Sequence, residues 1–312
     1  KIGEVLKEFP YIYIISDDVY EKVLWTEQPF CNMMMACPDL RSRIITINSV
    51  SKSHAMTGWR IGFAGADEKI IEGISPKIIN IWTNGVEMAL YDLVGKMLDT
   101  PVYNLLGGQV RDRVLLSHSL SMGDPQDIVE QAARLAGEGY QTLKCKVGRD
   151  HQSDLKILEA IRREVGDITL RVDANMGWSS AKEAVRRINE LAEFNLELIE
   201  QPLHYSDMEG LAFVRANVQV PIMADESVWT PADAMACIRA NAVDVFNVYV
   251  SEAGGIGPAA HIFSIAEAAR LPCIIGSMPE LGIGTAAQAH LAFAMHNIGY
   301  ASDVNGFVYH SD

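Results

Sequence analysis

The chain has 312 residues, 49% of them apolar, and a net charge of −14. That length allows one large domain or two ordinary ones, and the apolar content supports a sizeable core. The acidic balance argues against nucleic acid and anionic membranes as partners. Five cysteines, an odd number without a CxxC pair, read as reduced thiols and predict a cytoplasmic protein. No apolar run is long enough for a bilayer, and no signal peptide is evident. The chain opens at Lys1 in mid-helix pattern, without an initiator Met, so the natural start is expected upstream.

Residues 1–78 combine a strand and acidic turn (YIYIISDDVY) with two strands around a Ser/Lys turn (RIITINSVSKSHAMTGWRIGFAGA). Nothing in them repeats with the period seen later. Residues 79–114 hold an amphipathic helix, a Pro-broken turn and a short segment ending in Gly107-Gly108. Residues 115–312 alternate regularly. Apolar strand candidates are LLSHSL, TLKCKV, TLRVDA, LELIEQ, PIMADE, VDVFNVYV and PCIIGS, with a short last strand near Tyr300–Val304. Helix-like stretches lie between them, for example at 125–138, 151–164, 180–193, 231–240, 258–270 and 284–297. Asp124-Pro125, Ser179-Ser180 and Thr230-Pro231 supply entry signals. Seven β/α units in a row predict an α/β fold, a (β/α)7β TIM-type barrel.

Acids close three of these strands: Asp173 in LRVDAN, Glu200 in LIEQPL and Asp225 in IMADES. The gaps are 27 and 25 residues, one β/α unit each, so the three carboxylates reach one rim. Together they require a cation, and oxygen ligands favour Mg²⁺. One unit earlier stand Lys144 and Lys146, at i and i+2, facing the barrel interior with Cys145 turned to the helices. Two neighbouring ammonium groups disfavour each other's protonation, which would prepare one amine as a general base. The implied chemistry is metal-assisted removal of the proton beside a carboxylate.

The ordered set KCK (144–146), VDAN (172–175), IEQP (199–202), ADES (224–227) and GSMPELGIGTA (276–286) resembles the muconate-lactonizing subgroup of the enolase superfamily, over about residues 82–312. The resemblance implies that Asp173, Glu200 and Asp225 bind Mg²⁺. It makes Lys146 the base and Lys144 its electrostatic partner, with Asn175 and Glu226 close by. It also implies a small carboxylate substrate, a homo-oligomer as one arrangement, and elimination, cycloisomerisation or epimerisation through an enediolate. Where the subgroup usually carries a second lysine, this chain has Tyr249, a candidate acid or packing residue, so one-base chemistry on a single face becomes an option. Residues 79–114 correspond to the last helices of the family's N-terminal capping domain. His118 and Glu280 are further residues near the strand ends, His118 expected to be packed and Glu280 a substrate or supporting contact.

Residues 1–78 resemble class I/II aminotransferases. Lys52 matches the lysine that binds pyridoxal phosphate, Asp17 the partner of the pyridinium nitrogen, Tyr20 a ring contact, and Ser49 and Arg60 phosphate contacts. Three functions follow as alternatives: the carboxylate enzyme, a PLP aminotransferase, or an inactive chimera that retains metal binding.

Overall fold

The computed structural model describes residues 2–23, 25, 28–49, 62–67, 69–70 and 76–309. The chain divides into two compact units, Lys1–Ala89 and Leu90–Asp312. Lys52 and Arg60 lie outside the described residues.

In the first unit, β1 (Ile14–Asp17), β2 (Ile44–Ser49) and β3 (Gly62–Gly65) form one sheet. The Ile- and Thr-rich runs suit extended backbone, and Ile14 pairs with Ile44 in parallel register. β3 runs antiparallel to β2. The Arg43 guanidinium gathers the carbonyls of Leu6, Phe9 and Ile12 at 2.6–2.9 Å, anchoring the segment after the first helix, Ile2–Lys7. Asp17 ends β1 and accepts from the Val19 N–H, while Tyr20 is exposed.

The helix Pro76–Met97 leads toward a short helix, Val102–Leu105, and the pair Gly107-Gly108. Both glycines have φ above +100°, a turn that side-chain-bearing residues resist.

The second unit carries seven parallel strands in sequential order: β4 (Ser117–Ser119), β5 (Thr142–Lys146), β6 (Thr169–Asp173), β7 (Leu196–Glu200), β8 (Ile222–Ala224), β9 (Val245–Val248) and β10 (Cys273–Ile275). An eighth segment joins the two edges. Ile298 bridges Cys273, and Ser302 bridges Leu116, both in parallel. The fold is therefore the TIM-type barrel expected, with closure by single bridges rather than a full eighth strand. Helix entries form where the side chains satisfy free backbone N–H groups. Asp124 accepts from Gln126, Ser180 from Glu183, and Thr230 with Asp233 makes a reciprocal capping box. The helix Met208–Asn217, capped by Asp207, completes the unit between β7 and β8.

Period-two alternation builds the interior in layers. Leu198, Met223, Val245 and Ile274 form a buried apolar plug with Tyr300 packed against it. Two residues further along the same strands come Glu200, Asp225, Asn247 and Gly276. The apolar layer thus floors a polar one. None of the five cysteines forms a disulfide, and Cys145, Cys237 and Cys273 are buried. Among the described residues, no helix is long and apolar enough to cross a membrane.

Candidate functional site

The C-terminal ends of β6, β7 and the turn after β8 bring Asp173, Glu200 and Asp225 together. One carboxylate oxygen of each lies within 4.8 Å of the others, and all three side chains are buried. Their charge is costly there. Burial, then Asp173, pushes the Glu200 carboxyl up, and Lys144 only partly offsets this. Burial, then Glu200 and Glu226, pushes Asp225 well above its usual range. Glu200 Oε2 has no hydrogen-bond partner among the described residues, although the Lys144 ammonium stands 3.0 Å away. An all-oxygen set of mutually repelling, dehydrated carboxylates fits a hard divalent cation. Sulfur and imidazole are absent from the set.

Backbone geometry presents the carboxylates. Asp173 Oδ1 accepts from the Asn175 N–H at 2.8 Å, and Asn175 and Gln201 follow their strands with φ of 40° and 36°. Left-handed backbone at non-glycine residues is strained and persists where surroundings enforce it. The Gln201 amide does so. Its oxygen accepts from the backbone of Asp225 and Ser227, and its NH₂ donates to Leu203 O and Ser227 Oγ.

The two lysines of β5 differ in depth. Lys146 is partly exposed, and its Nζ lies 2.6 Å from both Asp173 Oδ2 and Asn175 Oδ1. Lys144 is buried between Glu200 and Asp303, 2.6 Å from Asp303 Oδ2. The mutual repulsion expected of the two ammonium groups is not what governs Lys144. Burial disfavours its charge, but Asp303, Glu200 and Asp173 outweigh burial and hold its pKa well above the ordinary lysine value.

Tyr249 follows β9 and is buried, its hydroxyl 3.4 Å from Asp225 Oδ2 and 3.5 Å from Asn247 Nδ2. Burial, then Asp225, raises the phenol pKa well above normal. Gly276 makes room for the ring, since a Cβ there would overlap Tyr249 and Asn247.

Two participants escaped the sequence reading. Asp303 pairs with Lys144 and accepts from Ser117 Oγ, and Asn247 donates to Glu200 Oε1 at 3.1 Å. Asp303 carried a usable signal. It lies inside the predicted last strand, where the rule of an acid at each strand end applies. His118 is buried with its ring edge against Tyr140, 5.1 Å between centroids, so it belongs to the layer behind the barrel wall. Glu280 accepts from Ser277 Oγ and from the Met278 N–H, holding the turn after β10. Glu226 lies beside Asn175, which donates to it at 3.2 Å.

A parallel barrel with acids and lysines converging at the C-terminal rim defines a class of barrel enzyme whose chemistry sits at that rim. The chain belongs to the enolase C-terminal domain-like family, whose model matches residues 127–312. Within the enolase superfamily it falls in the muconate-lactonizing subgroup. It is 41% identical over 217 residues to the L-Ala-D/L-Glu epimerase of Bacillus subtilis, covering 68% of this chain and 59% of that protein. It is 34% identical over 226 residues to muconate cycloisomerase 1 of Pseudomonas putida, covering 72% and 60%. The dipeptide epimerase of Enterococcus faecalis V583, solved with Mg and the dipeptide L-Leu-L-Tyr, superimposes with a TM-score of 0.68 at 34% identity, covering 77% of each chain. The chain thus spans about three fifths of the length of the two curated relatives. A second family model, aminotransferase class I and II, matches residues 1–85. The relatives favour the carboxylate reading over the PLP alternative.

Proposed function

We propose that this chain removes the proton alpha to the carboxylate of a small substrate in a Mg²⁺-dependent reaction. The products arise by elimination, cycloisomerisation or epimerisation. The observation that carries the reading is the position of Lys146. Of the two β5 lysines it alone is partly exposed, and its amine stands at the edge of the buried carboxylate trio. Asp173, Glu200 and Asp225 would hold the metal. When bound, Mg²⁺ supplies Lewis-acid charge that offsets the second negative charge of the enediolate. Lys146 takes the α-proton on its Nζ once that amine is neutral. Lys144, locked as a cation between Glu200 and Asp303, adds fixed positive charge to the floor of the site. Tyr249 directly follows β9, four strands from β5 in an eight-segment ring, and would present its hydroxyl to the opposite side of the substrate. Small carboxylates, including dipeptides and muconates, are the substrate range this supports. In the same proposal, residues 1–78 are an aminotransferase-like fragment, 79–114 the remnant of a capping domain, and 115–312 the catalytic barrel.

The test is proton exchange in D₂O with Mg²⁺, using L-Ala-L-Glu, L-Leu-L-Tyr and muconate. The expected result is deuterium at the α-carbon of a recovered dipeptide, or of the lactone that muconate forms by ring closure and protonation, lost in Lys146→Ala while metal binding persists. Exchange that survives Lys146→Ala removes that residue as the base. Absence of exchange with every substrate removes the activity.

A further inference from the structure

The N-terminal mouth of the barrel, opposite the carboxylates, opens into a cavity of about 730 Å³. Its size suits a small organic ligand. The first residues of β5 and β6, Thr142 and Thr169, belong to its wall, with Tyr140 and Tyr300 contributing aromatic surface. The charges there do not balance. Each of the two acids in the lining has its own cation: Glu138 pairs with Arg134, and Glu197 with Arg171, each at 2.5 Å. Two arginines of the lining are less well matched. Arg113 touches its exposed neighbour Asp112 through Nε alone, at 3.4 Å. Arg111 hydrogen-bonds carbonyl oxygens, those of Ala292 and His296, and has no carboxylate partner among the described residues. Burial alone lowers its pKa, as expected for a cation without a counter-ion.

A second observation points the same way. Arg171 is fully buried directly behind this wall. Its Nε donates to Glu197, its Nη1 to Ala301 O at 2.7 Å, and its guanidinium lies 5.8 Å from the Tyr300 ring centroid. All three partners line the cavity. The remaining nitrogen, Nη2, is buried without a hydrogen-bond partner among the described residues. An unmet donor of a buried guanidinium is costly unless an acceptor reaches it.

We propose that this mouth is a binding site for a small organic anion with an aromatic or apolar body, separate from the carboxylate site. The anionic group would lie against Arg111 and Arg113, and the body between Tyr140 and Tyr300. An anion fits because the acids present are already neutralised, while Arg111 has no carboxylate partner among the described residues and Arg113 meets Asp112 only through Nε at 3.4 Å. A flat body fits because tyrosine rings offer stacking surface and edge contacts.

The probe is benzoate, with benzamide as its neutral counterpart, followed by ligand-observed NMR on the whole chain in EDTA. Benzoate should bind, and benzamide about tenfold more weakly, a gap of about 1.4 kcal/mol. Leu115, an exposed residue of the lining, gives a filling variant that leaves the core alone. Leu115→Trp and Arg113→Glu should each weaken benzoate about tenfold. Lys146→Met should leave benzoate binding unchanged. Arg111→Gln should abolish it, and the two surface variants carry the test if that one fails to fold. No benzoate binding, equal binding of benzamide, or insensitivity to Leu115→Trp would each overturn the proposal. Loss of binding in Lys146→Met would assign the anion to the carboxylate site and overturn it equally.

Discussion

Lys144 and Asp303 are 159 residues apart in the chain and 2.6 Å apart in the barrel, both buried. Their contact joins the second strand of the barrel to its closing segment. Glu200 stands on the other side of the ammonium, so Lys144 ties the carboxylate trio to the end of the chain. Asp303 feels burial, but Lys144 and Ser117 outweigh it and hold its carboxyl below the usual range.

Removing that partner leaves a buried ammonium facing only the acids of the site. Asp303→Asn is expected to cost about 3 kcal/mol of unfolding free energy. Urea titration measures it. A loss under about 1 kcal/mol would mean that solvent or Glu200 replaces the pair.

The metal-free trio makes a second prediction. Glu200 and Asp225 have pKa values above those of unfolded carboxylates, because burial and mutual repulsion disfavour their charge. Between the unfolded and folded pKa values the folded state therefore binds more protons. Stability without metal falls as pH rises through that window. Mg²⁺ should restore it at pH 7.5, by about 2.7 kcal/mol at a hundred times its dissociation constant. The gain should shrink toward pH 5, where protons compete. Thermal melts with and without Mg²⁺ decide the matter, and an unchanged Tm at pH 7.5 would count against a metal at these residues.

Cys145, between the two lysines and facing the helices, is almost completely buried, and burial pushes its thiol up to about 12. The unfolded thiol ionises near pH 8.5. The fold keeps the proton above that point, so this thiol's contribution falls as pH rises from about 8.5 toward 12, by about 1.4 kcal/mol per pH unit. The destabilisation caused by Cys145→Ala should therefore be smaller at pH 10 than at pH 8, by about 2 kcal/mol. Paired urea titrations at the two pH values read the difference directly.

Gly276 is predicted to be required by its neighbours rather than by its own backbone. A Cβ there would overlap the Tyr249 ring and Asn247. Gly276→Ala should cost about 1–3 kcal/mol by overpacking. Tyr249→Leu in the same chain should recover part of the loss, which a double-mutant cycle measures. Additive losses would show that the ring is not the obstacle.

Much of this site was open to reading along the chain because a β/α barrel turns spacing into position. One unit of 25–27 residues carries each strand end to the same rim, so spacing alone aligns Asp173, Glu200 and Asp225 with KCK. Period two placed Cys145 behind the wall and both lysines inside it. The same rule applied to the short closing segment would have found Asp303, but that segment is held by isolated bridges and carries little strand pattern.

The sequence by itself therefore determined the barrel, its family and the three converging acids, because repeat length and alternation are local properties of the chain. The tertiary structure decided which lysine is buried and which is partly exposed. Lys144 and Lys146 are equivalent by sequence spacing. They differ because Asp303 and Glu200, distant in the chain, enclose one ammonium and leave the other at the rim. Tertiary structure also decided where charge goes unmatched, at Arg111, since ion pairing depends on three-dimensional neighbours that no local pattern encodes.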